Sequence, residues 1–271
     1  MVTPRHGYRR VLLALAVTAT LLAMTATAGR AQSVRAGERA DMVRIPAGSY
    51  RPLYSKVTDN PVAVAPFRID RAPVTRRDFL AFVQKNSGWQ KSQVNVLFAN
   101  RNDYLQDWPG DLDAGKGDDL ERPVTNVSWF AARAYCEAQN KRLPTLTEWE
   151  YAAAASGTAY DAARDHSYIA FVMQQYATRT VPARVVRADD ANAFGVRGMH
   201  SSVWEWVDDF NSILVSDDSR GVSARDNGMY CASAAIGAVD PSNFPAFLRS
   251  AFRAGLRGNS SLPLLGFRCA L

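Results

Sequence analysis

The stretch Val124–Ala155, VTNVSWFAARAYCEAQNKRLPTLTEWEYAAAA, constrains the chain most, because it encodes two short helices and the basic turn between them. Ser128 is an N-cap whose hydroxyl can accept from the free amides of a first helical turn. Trp129, Ala132 and Cys136 then recur at helical spacing, so one stripe faces a core. Asn140, Lys141 and Arg142 end that helix, with the cations near the negative pole of its dipole. Pro144 blocks continuation, and Thr145-Leu-Thr-Glu148 is a capping box that opens the second helix.

The N-terminal residues read as a targeting segment rather than as part of a fold. Arg5, Arg9 and Arg10 precede the apolar run Val11–Ala28, and small residues around Ala31 offer a cleavage site. The run is near the length of a membrane anchor. Its Ala/Thr-rich character and the loss of apolarity after Ala28 favour export and cleavage near Ala31, to the periplasm or outside. Arg9-Arg10-Val-Leu-Leu resembles a twin-arginine signal. The expected organisation is therefore a signal peptide over 1–31, a short linker over 32–40 and one domain over 41–271. Four of the 32 basic residues and none of the 26 acidic ones lie in residues 1–31. The remainder has 28 basic against 26 acidic groups, which argues for neither nucleic acid nor a membrane surface as partner. Roughly 240 residues suffice for one sizeable core. Three cysteines in an exported chain imply either one free thiol or a bond between chains.

In chain order, Met42–Arg51 reads as a strand entering a Gly-Ser turn, and Val62–Asp70 as a second strand kinked or held at an edge by Pro66. Thr75 caps a helix to about Asn86 that carries Phe79, Phe82 and Val83 on one face. Ser87–Glu121 is irregular. Its aspartates do not match a calcium loop, since Gly115, Lys116 and Arg122 occupy positions that the loop needs for other residues. It reads as a solvated acidic loop that could border a substrate groove. Ser156–Asp190 shows no strong period, and Gln174, Gln175, Tyr176 and Arg179 form no recognisable site. Trp204 and Trp206 flank Glu205, so in extended chain the acid points away from an aromatic face. Arg249, Arg253 and Arg257 recur at four-residue intervals, as a solvated cationic helix face or as a clamp for an acidic peptide or ligand.

"PVTNVSWFAARAYC…KRLPTLTEWEYAA", together with "MVRIPAGSYR", "GMHSSVWEWVDDF" and "LGFRCAL", resembles the signature of the formylglycine-generating enzyme (sulfatase-modifying factor) family. The likeness runs from Asp41 to the C-terminus. It implies an α+β fold related to C-type lectins, with few regular elements, twisted antiparallel strands and much ordered loop. It also implies a Cys136–Cys269 disulfide, which leaves Cys231 unpaired. The family's second disulfide has no counterpart, because its positions are Ala153 and Ala254.

The family reaction oxidises a substrate cysteine to an aldehyde with dioxygen, using Cu(I) held by two thiolates, ligands soft enough for that ion. Cys231 matches the first of these thiols; the second is missing, and Gly228 stands where the family has an active-site serine. The resemblance thus implies Cys231 as a reactive thiol or copper ligand, with Met229 or His200 as helpers. Trp204 lines the pocket, and structural Ca2+ sits on Glu205 and the Val203 main chain. Gly198 and Ser201-Ser202 depart from that calcium pattern and remove one anionic donor. As a buried small hydrophobe, Cys231 would have no such role. The C-terminal part resembles the exported bacterial branch with NirV and PvdO. The expected protein is a monomeric periplasmic oxidase or maturation factor acting on a peptide, protein or peptide-derived substrate. The alternatives are a non-catalytic binding or assembly factor for a copper enzyme, and an oxidase of a siderophore chromophore.

Overall fold

The computed structural model describes residues 41–52, 60–211 and 243–271. The chain divides into two compact units, Met1–Met42 and Val43–Leu271, and nearly all described residues belong to the second. The expected signal peptide, the linker, Gly228, Met229 and Cys231 lie outside the described residues.

Six short strands form three two-stranded sheets among the described residues. β1 (Met42–Ile45) pairs with β4 (Phe67–Asp70), and β2 (Gly48–Tyr50) with β3 (Val62–Val64), antiparallel with Gly48 opposite Val64. Each expected long strand is broken in two at a proline, Pro46 or Pro66, which has no amide to give a ladder. Gly48 and Ser49 consequently lie in a strand, not in a turn. β5 (Trp204–Trp206) runs parallel to β6 (Leu265–Phe267), with Trp204 opposite Leu265. This corrects the expectation of antiparallel strands alone: the connection between them contains a helix, Phe244–Ala254, and a helical crossover lets two strands run the same way. Gly266 is required there, because a Cβ would stand 2.6 Å from the Val124 carbonyl oxygen.

Helix α1 (Arg76–Lys85) has the expected Thr75–Asp78 capping box and buries Phe79, Phe82 and Val83. Helix α2 (Trp129–Ala138) starts at Ser128, whose hydroxyl accepts from the Ala131 amide, and buries Ala131, Ala132, Tyr135 and Cys136. Asn140 follows in the left-handed region at φ 54. Lys141 and Arg142 do not act on the helix dipole alone: each forms an ion pair, with Asp70 at 2.7 Å and Glu148 at 2.6 Å. Helix α3 (Leu146–Ala153) has the Thr145–Glu148 box. The disulfide Cys136–Cys269 is formed with both residues fully buried, tying α2 to the segment after β6.

Helix α4 (His166–Ala177) falls where no element was expected. Asp165 caps it, but Val172 is the one residue it buries, so it carries no apolar stripe to read. The 87–121 segment also departs from expectation. It contains two 3₁₀ turns, and it delivers Val94, Tyr104, Leu105 and Trp108 to the core. Its acids are engaged locally: Asp107 pairs with Arg76, and Asp111 accepts from the Ser92 amide and hydroxyl. No helix among the described residues is long and apolar enough to cross a membrane.

Candidate functional site

Two buried carboxylates organise the region around β5. Glu150, on α3, accepts from Arg249 Nε at 2.9 Å and Nη2 at 2.5 Å and from Arg253 Nη1 at 2.6 Å. Both arginines come from α5 (Phe244–Ala254), capped by Asn243. The expected solvated or ligand-clamping arginine face is therefore wrong for this pair: Arg249 and Arg253 are 7% and 4% exposed and spend their charge on Glu150. Arg257 lies beyond the helix end. Burial opposes ionisation of Glu150, but Arg249 and Arg253 outweigh it and hold the carboxyl at about 2. The same carboxylate overcomes burial at Arg249 and raises its pKa.

Glu205 is the second centre. It accepts from Arg268 Nε and Nη2, both at 2.7 Å, and from Trp149 Nε1 at 2.7 Å. Arg268 also donates to the Arg197 and Asp70 carbonyls. The Trp149 ring joins the two centres, with Arg253 over it at 4.7 Å. This arrangement does not fit the expected calcium site. Both oxygens of Glu205 already accept from the Arg268 guanidinium, and one of them also from Trp149. Among the described residues there is also no group of three or more His, Cys, Asp or Glu side chains suited to a metal.

His200 was a possible copper helper, but its ring is fully committed. Nδ1 lies 3.0 Å from the Tyr176 hydroxyl and Nε2 2.9 Å from the Ala153 carbonyl. Burial, and then the charge of Arg249, push its pKa down to about 3, so the ring is neutral. With Nε2 donating to the carbonyl, Nδ1 accepts from Tyr176, whose oxygen in turn accepts from Arg249 Nη1 at 3.0 Å. Neutral His200 and ionised Glu150 make stability fall with acid in the same sense. The unfolded histidine takes up its proton below about 6.5, whereas the folded one waits until about 3. Stability is thus complete above that window and declines through it; Glu150 adds a second decline from 4.5 to about 2. Wild type should lose about 2 kcal/mol between pH 7.5 and 5 in urea titrations, and His200→Gln should lose much less. An equal loss in both proteins would remove His200 as the cause.

Trp204 stands on the opposite face of β5 from Glu205 and is half-buried. Phe252 of α5 stacks on it at 4.7 Å, Tyr176 of α4 packs at 4.8 Å, and Arg179 lies over it at 4.1 Å. The ring expected to line a pocket is thus brought together with Tyr176 and Arg179. Those two gave no signal in the sequence because nothing marked α4 as packing on β5. A separate groove of about 570 Å³ is lined by Val96, Asn100, Arg101, Arg257, Asn259 and Ser261, among others. It borders the 87–121 segment.

Comparison with known proteins agrees with these features. Residues 27–271 match the model of the sulfatase-modifying factor enzyme 1-like domain, FGE-sulfatase. An inactive C-alpha-formylglycine-generating enzyme 2 of Bos taurus is 30% identical over 52% of this chain and 58% of its own length. The chain thus spans a little over half of that relative. A formylglycine-generating enzyme of Streptomyces coelicolor is 27% identical over 84% of this chain and 88% of its own. The solved structure of PvdO from Pseudomonas aeruginosa superposes with a TM-score of 0.43 at 20% identity, covering 84% of this chain and 93% of that one. The capped α2–α3 pair, the Trp204-Glu205-Trp206 strand, the disulfide from α2 to the C-terminal segment and a family match over nearly the whole length lead to one conclusion: this chain belongs to the formylglycine-generating enzyme, or sulfatase-modifying factor, family.

Proposed function

We propose that the protein is an exported oxidase or maturation factor that acts, with dioxygen, on a peptide or peptide-derived substrate. The observation that carries this reading is the mounting of Trp204. It presents a half-exposed ring from a strand whose next two residues are locked, Glu205 by Arg268 and Trp149, and Trp206 by donation to the Val127 carbonyl at 2.9 Å. A wall held this way is pre-organised for a ligand. The groove between Arg101 and Arg257 has the size and mixed polarity of a substrate channel. Export is supported by the buried disulfide, which persists in oxidising compartments, and by the basic, then apolar N-terminus.

Cys231 is the residue assigned to the chemistry, as thiolate or as one soft metal ligand. Copper bound there would supply the activation of dioxygen. The family's second active-site cysteine has no counterpart in the sequence, so the reading rests on the Cys231 thiol itself. The test is thiol labelling before and after reduction, with Cu(I) titration and dioxygen uptake, on wild type and Cys231→Ser. The expected result is one labelled thiol in the native protein, and tight Cu(I) binding that Cys231→Ser loses. Equal Cu(I) binding by the two proteins would end the metal role, and an unlabelled native thiol would end the reactive one.

A second reading has specific support. The family's second active-site cysteine is absent, and the Bos taurus relative is named as inactive. On this reading the protein binds a partner enzyme or its precursor and performs no oxidation. Dioxygen uptake no faster than the protein-free background, with or without added peptide, would favour it.

A further inference from the structure

Arg179, half-buried, differs from the buried arginines around β5. Arg249 and Arg253 share Glu150, and Arg268 takes Glu205. Arg179 has no carboxylate partner among the described residues. Its guanidinium lies 4.4 Å from the Tyr176 ring centre and 4.1 Å from that of Trp204, and Nη2 donates to the His200 carbonyl at 2.9 Å. Nε and Nη1 are buried with no hydrogen-bond partner among the described residues. Every oxygen of Glu150 and Glu205 is already engaged.

A buried cation with two idle donors is costly, whereas one that meets an oxyanion forms short, charge-assisted bonds. Lying against two rings that touch each other at 4.8 Å restrains the guanidinium in advance, so little side-chain freedom is lost when an anion arrives. Arg179 and Trp204 are each half-buried, with part of each residue at the surface; Nε and Nη1 themselves are covered, so an anion reaches them by displacing the groups over them. We propose that Arg179 is an anion-binding residue at the Trp204 wall, which takes a carboxylate-type oxyanion carried by the substrate. This rests on the reading that Trp204 lines the substrate site, but not on any oxidation taking place there.

The test is a titration, followed by tryptophan fluorescence and calorimetry, with N-acetyl-aspartyl amide and its neutral isostere N-acetyl-asparaginyl amide. Wild type should bind the charged probe about tenfold more tightly, as a charge-assisted contact requires. Arg179→Gln should erase that preference. Arg179→Lys should retain part of it, because the charge remains but the planar fork is lost. Acetate and inorganic phosphate form a second arm. If they compete as well as the aspartyl probe and lose affinity in Arg179→Gln, the site takes free oxyanions rather than a substrate carboxylate. Equal affinity for the two amides in wild type, or an undiminished preference in Arg179→Gln, would overturn the proposal. Removing an unpaired charge should leave Arg179→Gln at least as stable as wild type without ligand, which its urea midpoint checks. Running the titration in Cys231→Ser as well separates the two readings: binding without oxidation leaves this one standing.

Discussion

Glu150→Ala should unfold with about 3–5 kcal/mol less free energy than wild type, the range for stripping one partner from a buried ion pair. The variant leaves Arg249 and Arg253 with their charges in place and no anion to face, at sites where they are 7% and 4% exposed. The loss would come from the two stranded cations rather than from the missing contacts. That distinction can be checked by urea denaturation at pH 7.5 with a second variant. Glu150→Met combined with Arg249→Met and Arg253→Met removes the charges together and should recover most of the loss, since apolar replacements of a buried network are often near neutral. If the triple variant is as unstable as Glu150→Ala, packing rather than charge holds α3 to α5. The same experiment reads the site, because Phe252 on α5 is the ring that stacks on Trp204. Loosening α5 should broaden the Trp204 emission before global unfolding.

The disulfide should have an effect of similar size. Cys136 and Cys269 are 133 residues apart, and the chain-entropy model gives about 5 kcal/mol for closing a loop of that length. In a Cys231→Ser background, Cys136→Ala/Cys269→Ala should shift the urea midpoint by a corresponding amount. Wild-type protein unfolded and refolded in reductant should match the double variant, while the variant itself should not respond to reductant. Because both sulfurs are fully buried, native protein should resist reduction until it opens. A midpoint unchanged in the double variant would show that burial of the C-terminal segment alone secures it.

Local chemistry made some of this architecture legible in advance. Thr75–Asp78, Ser128 and Thr145–Glu148 are cap signals within three residues of their partners, and all three helices start where those residues stand. Pro66 was readable as a kink in its strand, whereas the break at Pro46 was not expected, and the strands on either side of both prolines are shorter than the alternating pattern suggested. Helix α4 was hidden because burying one residue leaves no stripe. The two carboxylate centres were hidden for a different reason. Glu150 lies 99 and 103 residues from its partners, and Glu205 lies 63 from Arg268, separations at which sequence spacing gives no geometry. The arginines of α5 show the point: their four-residue interval put them on one helix face, but not which way that face turns.

The sequence by itself determined the family, the helix starts and the one pairing of cysteines that the family signature implies, since these follow from short-range caps and long ordered motifs. Only the tertiary structure decided where the charges go. It turned Glu205 to Arg268, Arg249 and Arg253 to Glu150, and set Arg179 against the Tyr176 and Trp204 rings with no acid partner among the described residues. An ionisable side chain is committed by what it meets after the chain has packed, because burial makes an unmet charge costly and a met one specific. No property of the residue or its immediate neighbours in sequence carries that information.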